Sequence, residues 1–250
     1  MLSPDEEERY LRQTMIPTIG VKGQLRLKEA KVLVAGLGGL GTPAALYLAA
    51  AGVGTLRIVD SDVVQLSNLN RQLLYTTAEI GQSKSSCAQQ RIRQLNPHVK
   101  IEAIDTQIEQ NNVMDLVDEC DLIVDALDNY PTRYIMNKAA IATRTPLLHG
   151  SLREFDGMTT TLIPGRTPCL RCIFPEPPPP TTTPVLGAIP GIIGCMQALE
   201  AIKYLTGVGT LLTGRLLLFD GLELSFRELT VRRDPKCPDC RGVQPNNRRN

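Results

Sequence analysis

The 250-residue sequence predicts an α/β fold, with a doubly wound, Rossmann-like and mostly parallel sheet and an antiparallel C-terminal extension. Residues 31–36 (KVLVAG), 39–51 and 55–60 (TLRIVD) follow the pattern strand, helix, strand, which is a right-handed βαβ unit with parallel strands. The alternation continues to residue 152, as expected of a sheet with helices on both faces. Beyond it, turn glycines separate β-branched segments, which indicates antiparallel strands.

The remaining elements follow from apolar runs and from the residues that interrupt them. A helix over residues 83–95 ends at Asn96-Pro97, because the residue before a proline is disfavoured in the α region. Pro131 suits the first turn of a later helix. The further predicted strands are residues 99–108, 121–127 and 146–152, the further helices are residues 111–119 and 132–143, and the antiparallel segments are residues 157–164 and 215–232.

The composition argues against several functional classes. There are 27 basic and 26 acidic side chains, so no basic excess points to nucleic acid. The acidic N-terminus (MLSPDEEERY) lacks the apolar core of a secretion signal. The longest uncharged run, residues 177–199, is interrupted by proline and glycine, and its apolar part is too short for a membrane span. A cytoplasmic protein is therefore expected.

Residues 36–41 (GLGGLG) form a G-x-G-x-x-G motif between the first strand and the first helix of the βαβ unit. Such glycines let phosphate approach the backbone, and the N–H groups that begin the helix attract anions. Asp60 ends the next strand, where a carboxylate can accept the hydroxyls of a ribose. The pattern predicts a nucleotide site, although an NAD-dependent oxidoreductase would share it. The glycines are Gly36, Gly38, Gly39 and Gly41.

The next segment, residues 60–72 (DSDVVQLSNLNRQ), favours a triphosphate over a dinucleotide. The β- and γ-phosphates reach past the glycine loop and need cationic, forked donors. Asn68 and Arg71 within the segment, and Lys84 after it, are the candidate donors. Taken singly, Arg71 or Lys84 would be interpreted as an ordinary solvated charge.

Four of the seven cysteines form two C-x-x-C pairs, Cys169 with Cys172 and Cys237 with Cys240. Each pair lies on a proline-containing turn (TPCLRC and PKCPDC), as in the knuckles that hold zinc through four sulfurs. A closed four-thiolate site would tie the C-terminal strands to the domain. Redox-active pairs and disulfides are the alternatives.

A single domain is expected, because no flexible linker divides the chain. Residues 175–184 (PEPPPPTTTP) cannot form a helix or a central strand, and they predict an exposed crossover loop. The expected parts are an N-terminal helical arm (residues 1–30), a nucleotide-binding core (31–152), a zinc-bearing β extension with the crossover loop (153–240) and a polar tail (241–250).

The motifs GLGGLG, D-x-D-x-V-x-x-S-N-L-x-R-Q, IGQSK and DALDN occur in this order, preceded by RYLRQ at residues 9–13. In sequence and spacing they resemble the ThiF/MoeB/HesA family, relatives of the ubiquitin-activating enzymes, over nearly the whole chain. The likeness is greatest to the molybdopterin-synthase adenylyltransferase type. It implies an ATP-dependent adenylyltransferase with Mg²⁺, a homodimer, and a small ubiquitin-like sulfur-carrier protein that ends in Gly-Gly.

The resemblance also implies roles for individual residues. Asp60 would hold the ribose, and Asp128 in the DALDN motif would hold Mg²⁺. Arg12, the second arginine of RYLRQ, would enter the site of the neighbouring subunit. Alone, Asp128 would be interpreted as a turn or helix-cap residue and Arg12 as a surface charge. The residues that would hold the phosphates are Asn68, Arg71 and Lys84.

The implied reaction is attack of a carboxylate oxygen on the α-phosphorus, which releases pyrophosphate and leaves an acyl-adenylate. Because two anions must meet, catalysis depends on charge neutralisation and alignment rather than on a general base. His98 and His149, the two histidines of the chain, show no partner pattern and are interpreted as structural. The sequence does not indicate whether the carrier serves molybdopterin, thiamin or tRNA thiolation.

The chain departs from the family pattern in its crossover loop. Several members carry there a cysteine that can bind the carrier covalently, whereas residues 175–190 contain none and residues 181–183 are threonines. Cys195 is the nearest thiol, but Ile192, Leu199 and Ile202 share its helical face, which predicts a core position. Cys87 and Cys120 are also predicted to be buried. Adenylation without an obligatory covalent intermediate is therefore expected.

Three alternative functions remain at this point. An NAD-dependent oxidoreductase would leave Asn68, Arg71 and the cysteine pairs unexplained, and Arg71, Lys84 and Asp128 argue against an inactive binding scaffold. Relatives that adenylate a tRNA base carboxylate usually lack the zinc pairs, and the neutral charge offers no footprint for tRNA. No rhodanese-like extension follows Cys240, so the sulfur donor is expected to be a separate protein.

Overall fold

The computed structural model of the protein describes residues 1–177 and 184–245. An eight-stranded sheet runs through it in the order β3-β2-β1-β4-β5-β6-β7-β8. The first five strands of this order pair in parallel, and the last three join through antiparallel pairs. The strands are β1 (Lys31–Ala35), β2 (Thr55–Val59), β3 (Lys100–Ile104), β4 (Leu122–Asp125), β5 (Leu147–Arg153), β6 (Asp156–Leu162), β7 (Arg215–Asp220) and β8 (Ser225–Thr230).

Helices cover both faces of the sheet. Within the described ranges, none of them is long and apolar enough to cross a membrane. Threonines 181–183 of the predicted crossover loop lie outside the described residues. The helices are α1 (Pro4–Arg9), α2 (Leu11–Thr14), α3 (Gly20–Glu29), α4 (Gly41–Ala50), α5 (Lys84–Leu95), α6 (Val113–Val117), α7 (Tyr130–Thr143), α8 (Leu170–Ile173) and α9 (Ala188–Thr206).

The core is divided by the sheet, because successive side chains of a strand point to opposite faces. In β1, Val32 and Val34 pack with α3, α4, α5 and α9, whereas Leu33 and Ala35 pack with α6, α7 and α8. Both faces are therefore apolar, which explains why the central strands appear in the sequence as continuous apolar runs.

Small residues let α4 and α9 lie close together on one face of the sheet. A side chain on Gly194 of α9 would place its Cβ 2.5 Å from the carbonyl oxygen of Leu40. Ala44, Ala45 and Ala49 of α4 are fully buried. This packing fixes the start of α4 relative to the sheet, next to the carboxyl end of β1.

The predicted fold class is confirmed by the parallel core and the antiparallel C-terminal strands. The strand order reverses between β1 and β4, since β1 continues to β2 on one side and β4 to β5 on the other. Ligands of open α/β sheets bind at such a reversal, outside the carboxyl ends of the strands. The segments that leave β1 and β4 there are residues 36–41 and 126–129.

Candidate nucleotide-binding site

Residues 36–41, which we call the glycine loop, connect β1 to α4 and leave several backbone donors free. Gly36 has a φ of +92°, and a Cβ on Gly41 would lie 1.9 Å from the Gly36 carbonyl oxygen. The turn is therefore restricted to glycine at both ends. The N–H groups of Gly38, Gly39 and Leu40 have no acceptor among the described residues. Such donors at the start of a helix form an anion site.

Asp60 follows β2 and fixes the glycine loop through its carboxylate. Its Oδ2 accepts the Leu37 N–H at 2.7 Å, and its Oδ1 accepts the Asp62 N–H at 2.8 Å. Burial raises the pKa of Asp60, and the nearby charge of Lys84 opposes that shift. Each carboxylate oxygen can accept a second hydrogen bond, so Asp60 can hold the loop and still accept ribose hydroxyls.

Lys84 begins α5, and its ammonium is buried beside the loop that follows β2. Its Nζ lies 2.8 Å from Asp62 Oδ2, while its backbone N–H donates to the Asp62 carbonyl. A buried ammonium requires a negative partner, and Asp62 is largely exposed. Lys84 is therefore held beside Asp62, and two of the three donors of its ammonium have no acceptor among the described residues.

Arg71 and Asn68 lie on the connection between β2 and α5. The Cδ of Arg71 is 3.5 Å from the position of a Cβ on Gly39, so its aliphatic stem lies against the glycine loop, as Pro190 of α9 does at 3.0 Å. Its guanidinium donates to the Ser67 carbonyl and to Asn70 Oδ1, both at 2.9 Å. Asn68 is buried, and its Oδ1 accepts the Gln65 N–H. The Asn68 side-chain NH₂ has no acceptor among the described residues.

Asp128 lies at the carboxyl end of β4 with its carboxylate exposed. The helix cap that the DALDN motif supplies is Asn129 instead, whose Oδ1 accepts the Thr132 N–H at 2.9 Å. The structure therefore separates the two roles: Asn129 begins α7, and Asp128 is the exposed carboxylate, whose Oδ1 accepts the Asn129 Nδ2 at 3.3 Å and whose Oδ2 has no donor among the described residues.

The four cysteines of the two C-x-x-C pairs converge, with all four sulfurs within 4.8 Å of one another. The Sγ–Sγ distances are 3.8 Å for Cys169 with Cys172, 3.6 Å for Cys169 with Cys237 and 3.4 Å for Cys172 with Cys240. A disulfide requires about 2.05 Å, whereas a tetrahedral Zn–S₄ site has S–S edges of about 3.8 Å. The sulfur positions fit one tetrahedral ion.

Comparison with known proteins agrees with this geometry. The model of the ThiF family matches residues 10–239 of the chain. The chain belongs to the ThiF family. The sulfur carrier protein adenylyltransferase of Thermus thermophilus is 47% identical to it, and the alignment covers 98% of this chain and 94% of that protein. The resemblance drawn from the motifs is thereby confirmed.

Two further proteins resemble the chain, one in sequence and one in fold. The adenylyltransferase and sulfurtransferase MOCS3 of Anopheles gambiae is 47% identical over 96% of this chain, but the chain spans only 55% of that protein. The crystal structure of E. coli MccB superposes with a TM-score of 0.86 at 19% identity, over 100% of this chain and 76% of that one. At this identity the second likeness shows the fold alone.

Arg12 lies far from the glycine loop of its own chain. Gln13 donates to the carbonyl of Ala51, and Tyr10 packs against Gly52, so α2 lies at the C-terminal end of α4. The glycine loop is at the other end of that helix, about 15 Å away for ten residues. Arg12 itself is exposed and has no hydrogen bond or ion pair to any described residue.

A buried charged cluster, which we call the Asp125 cluster, consists of Asp125, Arg133 and His149. Asp125 Oδ2 lies 2.7 Å from His149 Nδ1, and Asp125 Oδ1 lies 3.6 Å from Arg133 Nε. Burial alone would raise the pKa of Asp125, but Arg133 and His149 hold it below its ordinary value. Burial lowers the pKa of His149. The cluster therefore contains a carboxylate, a guanidinium and a neutral imidazole.

Sequence reasoning gave His149 no partner, and the structure corrects this. The partner is Asp125, which lies opposite His149 in the parallel register of β4 and β5. Arg133 also donates to the carbonyl oxygens of Leu127 and Gly150, so the cluster holds the segment that carries Asp128. The one feature of the sequence that could have indicated this pair is Asp125 at the end of an apolar strand, since a buried carboxylate needs a partner.

The prediction that Cys195 lies in the core is wrong. Its side chain is only half-buried, and Leu199, on the same face of α9, is 57% exposed. The face that packs on the sheet is instead the one with Ile189, Ile193 and Gln197. Cys87 and Cys120 are buried as predicted. Burial raises the pKa of Cys195, so the thiol is mainly uncharged at neutral pH and a poor nucleophile.

Proposed function

We propose that the chain is an ATP-dependent adenylyltransferase that activates the C-terminal Gly-Gly carboxylate of a small ubiquitin-like sulfur carrier. The observation that carries this proposal is the arrangement of donors around the glycine loop. Free N–H groups lie at the start of α4, the stem of Arg71 lies against the glycine loop, and Lys84 is buried beside Asp62. A relative of similar length, named as a sulfur carrier protein adenylyltransferase, supports the same activity.

In the proposed reaction, a carboxylate oxygen of the carrier attacks the α-phosphorus of ATP. The new O–P bond forms as the bond to the β-phosphate oxygen breaks, and pyrophosphate leaves with the electron pair. The glycine loop and Asp60 would bind the nucleotide, Arg71 and Lys84 would neutralise charge on the phosphates, and Asn68 would donate hydrogen bonds to them. No residue needs to remove a proton, because the attacking carboxylate is already ionised.

Two metal ions belong to this proposal. Mg²⁺ would be held by Asp128, whose exposed carboxylate is a hard oxygen ligand, and it would offset charge on the phosphates. Zn²⁺ would be held by Cys169, Cys172, Cys237 and Cys240, whose spacing fits four thiolates around one ion. We assign it a structural role, since all four positions are taken by protein ligands.

A homodimer is also proposed, with Arg12 reaching the nucleotide site of the partner subunit. Two observations support it: Arg12 lies far from the site of its own chain, and large apolar side chains are exposed on the arm and on α9. Met15 is 63% exposed, Val21 57% and Leu199 57%, and exposed apolar patches mark contact surfaces. The sulfur donor is proposed to be a separate protein, because the relative of similar length is named as an adenylyltransferase, whereas the name sulfurtransferase belongs to a relative of which this chain spans only 55%.

ATP–pyrophosphate exchange tests the function directly. Exchange should appear with a Gly-Gly carrier protein and disappear in Arg71→Ala and Asp128→Ala. Cys195→Ala should stay within about twofold of the wild type, because a neutral, half-buried thiol is no nucleophile. Lack of exchange with every carrier, combined with tight NAD binding, would favour the oxidoreductase instead. Loss of exchange in a folded Cys195→Ala protein would contradict a mechanism without a covalent intermediate.

A further inference from the structure

Gln72 is a buried polar side chain with no hydrogen-bond partner. The residue is 3% exposed, and its Oε1 is buried without a donor. Its Nε2 has no acceptor among the described residues either, although the backbone N–H and carbonyl of Gln72 bond to Asn68 and Tyr75. A buried amide without hydrogen-bond partners destabilises the fold, so its presence here calls for a partner that binds during function.

The Gln72 amide is directed at the glycine loop. Its Nε2 is the nearest atom to the position that a Cβ on Gly38 would take, at a distance of 3.7 Å. Other side chains fix the loop at its remaining sides, because Asp60 accepts the Leu37 N–H and the Tyr75 hydroxyl donates to the Leu37 carbonyl. Gln72 is thus the member of this group whose donors are not used by the protein.

Other buried glutamines do not share this property. Gln24 donates to the Ala51 carbonyl and accepts from Gln13. Gln197 donates through its Nε2 to the carbonyls of Asp125 and Leu148, although its Oε1, like that of Gln72, has no donor. Both therefore stabilise the fold, whereas in Gln72 the same chemical group contributes no protein hydrogen bond.

We propose that the Gln72 side-chain NH₂ binds a phosphate oxygen of the nucleotide at the glycine loop. This inference rests on the proposed function, since it requires a nucleotide there. The amide would add two donors without adding charge, between the free N–H groups of the loop and the cations Arg71 and Lys84. Gln72 would therefore recognise the phosphates, and it would not affect binding of the nucleoside.

The test compares ATP with adenosine in calorimetric titrations of Gln72→Met, which keeps the length of the side chain and removes the amide. ATP should bind about tenfold more weakly, the usual effect of losing a hydrogen bond to a charged group. Adenosine should be unaffected, and the melting temperature should not fall, because no protein hydrogen bond is lost. Gln72→Glu, of the same shape, should weaken ATP binding further through charge repulsion.

A matched control is Gln89→Met, since the Gln89 amide donates to the Ile101 carbonyl. It should lower the melting temperature and leave the ratio of ATP to adenosine affinity unchanged. Unaltered ATP binding in both Gln72 variants, or equal weakening of ATP and adenosine, would overturn the inference and indicate a buried water or a packing role. If the wild-type protein itself binds no ATP, the proposed function fails with it, which separates the two outcomes.

Discussion

Asp125, Arg133 and His149 place a carboxylate, a guanidinium and an imidazole in the same solvent-free volume. Removing one partner of a buried ion pair typically costs about 3–5 kcal/mol, because it leaves the other charge uncompensated. In this chain the loss would also destabilise the segment after β4, since Arg133 donates to the Leu127 carbonyl. The stability of the fold and the position of Asp128 therefore depend on the same three side chains.

His149 gives the protein a stability that depends on pH. Burial holds its folded pKa below the ordinary 6.5, so below that pH the unfolded chain binds a proton that the folded chain does not. Stability should therefore fall as the pH drops below about 6.5, by up to about 1.4 kcal/mol per pH unit. Urea unfolding of the wild type and of His149→Asn would measure this, since the variant should lose that slope.

Neither Asp125 nor His98 should produce the same pH dependence. Asp125 does not titrate in the same window, because its pKa is held below the ordinary 3.8. His98, the other histidine, is exposed on the surface, and His98→Asn should keep the wild-type slope. Equal slopes in the wild type and His149→Asn would show that His149 is not the neutral, buried group described above.

At the scale of single residues, the sequence predicted which residues belong to the candidate site better than it predicted which side chains contact each other. The motif order placed Asp60, Arg71 and Lys84, and the structure gathers them at one end of the sheet. The partner of His149 depended on the register of β4 and β5, which no local pattern specifies. Cys195 was misplaced because α9 is apolar nearly all round, so its helical periodicity did not distinguish the buried face.

The glycine loop contains glycines of two kinds. A Cβ on Gly41 would collide with the Gly36 carbonyl, at 1.9 Å, whereas a Cβ on Gly38 would have no neighbour closer than 3.7 Å. We therefore expect Gly41→Ala to lower stability by more than about 2 kcal/mol. Gly38→Ala should fold like the wild type but bind ATP at least about tenfold more weakly, because its methyl group occupies the phosphate path.

Thermal unfolding measures the stability of the two variants, and ATP titration measures their affinity for the nucleotide. Together they show whether each glycine is required for packing or for contact with the ligand. Normal ATP binding by Gly38→Ala would mean that the phosphates do not pass over Gly38. A stable Gly41→Ala protein would show that the loop can shift away from α4, contrary to the close approach described above.

The helix α7 connects the nucleotide site with the cysteine cluster. Asn129 caps its start, next to Asp128, and Asn137 lies buried in its middle. Asn137 Oδ1 accepts the Leu170 N–H of one knuckle, and its Nδ2 donates to Asp239 of the other. One side chain thus binds both knuckles, and it should hold the four sulfurs near their positions before any ion binds.

We expect Asn137→Ala to speed the release of zinc by about tenfold or more, since partners that orient metal ligands typically contribute this much. Release to a chelating dye measures it without reference to catalysis. Asn96→Ala is the matched control, because Asn96 is equally buried but bonds to Tyr10 and Ala49, away from the cysteines. Equally fast release in the two variants would attribute the effect to general destabilisation.

Among the elements, the parallel core was predictable because buried strands and the helices between them carry distinct apolar patterns. Pro131 and Asn96-Pro97 correctly marked the start of α7 and the end of α5. The short helix α8 was not predicted, and α2 was predicted only as part of the helical arm over residues 1–30, since four residues are too few for a periodic pattern of their own. Their positions depend on tertiary contacts.

Across the whole molecule, the nucleotide site and the N-terminal arm occupy opposite ends of the sheet. The glycine loop and Asp128 lie at the carboxyl ends of β1 and β4, whereas Gln13 bonds to Ala51 at the far end of α4. An arginine side chain cannot span this distance. If Arg12 contributes to catalysis, the site that it enters belongs to another copy of the chain.

Mixed dimers test this arrangement, because each proposed site combines the core of one subunit with the arm of the other. Arg12→Ala and Arg71→Ala should each abolish ATP–pyrophosphate exchange alone. Coexpressed, they should recover about a quarter of the wild-type rate, since half of random dimers are mixed and each mixed dimer has one intact site. Coexpression of Arg71→Ala with Lys84→Ala is the matched control. It should recover no exchange activity, because each subunit then carries a change beside its own glycine loop and no mixed dimer has an intact site. Recovery in neither mixture would mean that Arg12 does not act across a dimer interface.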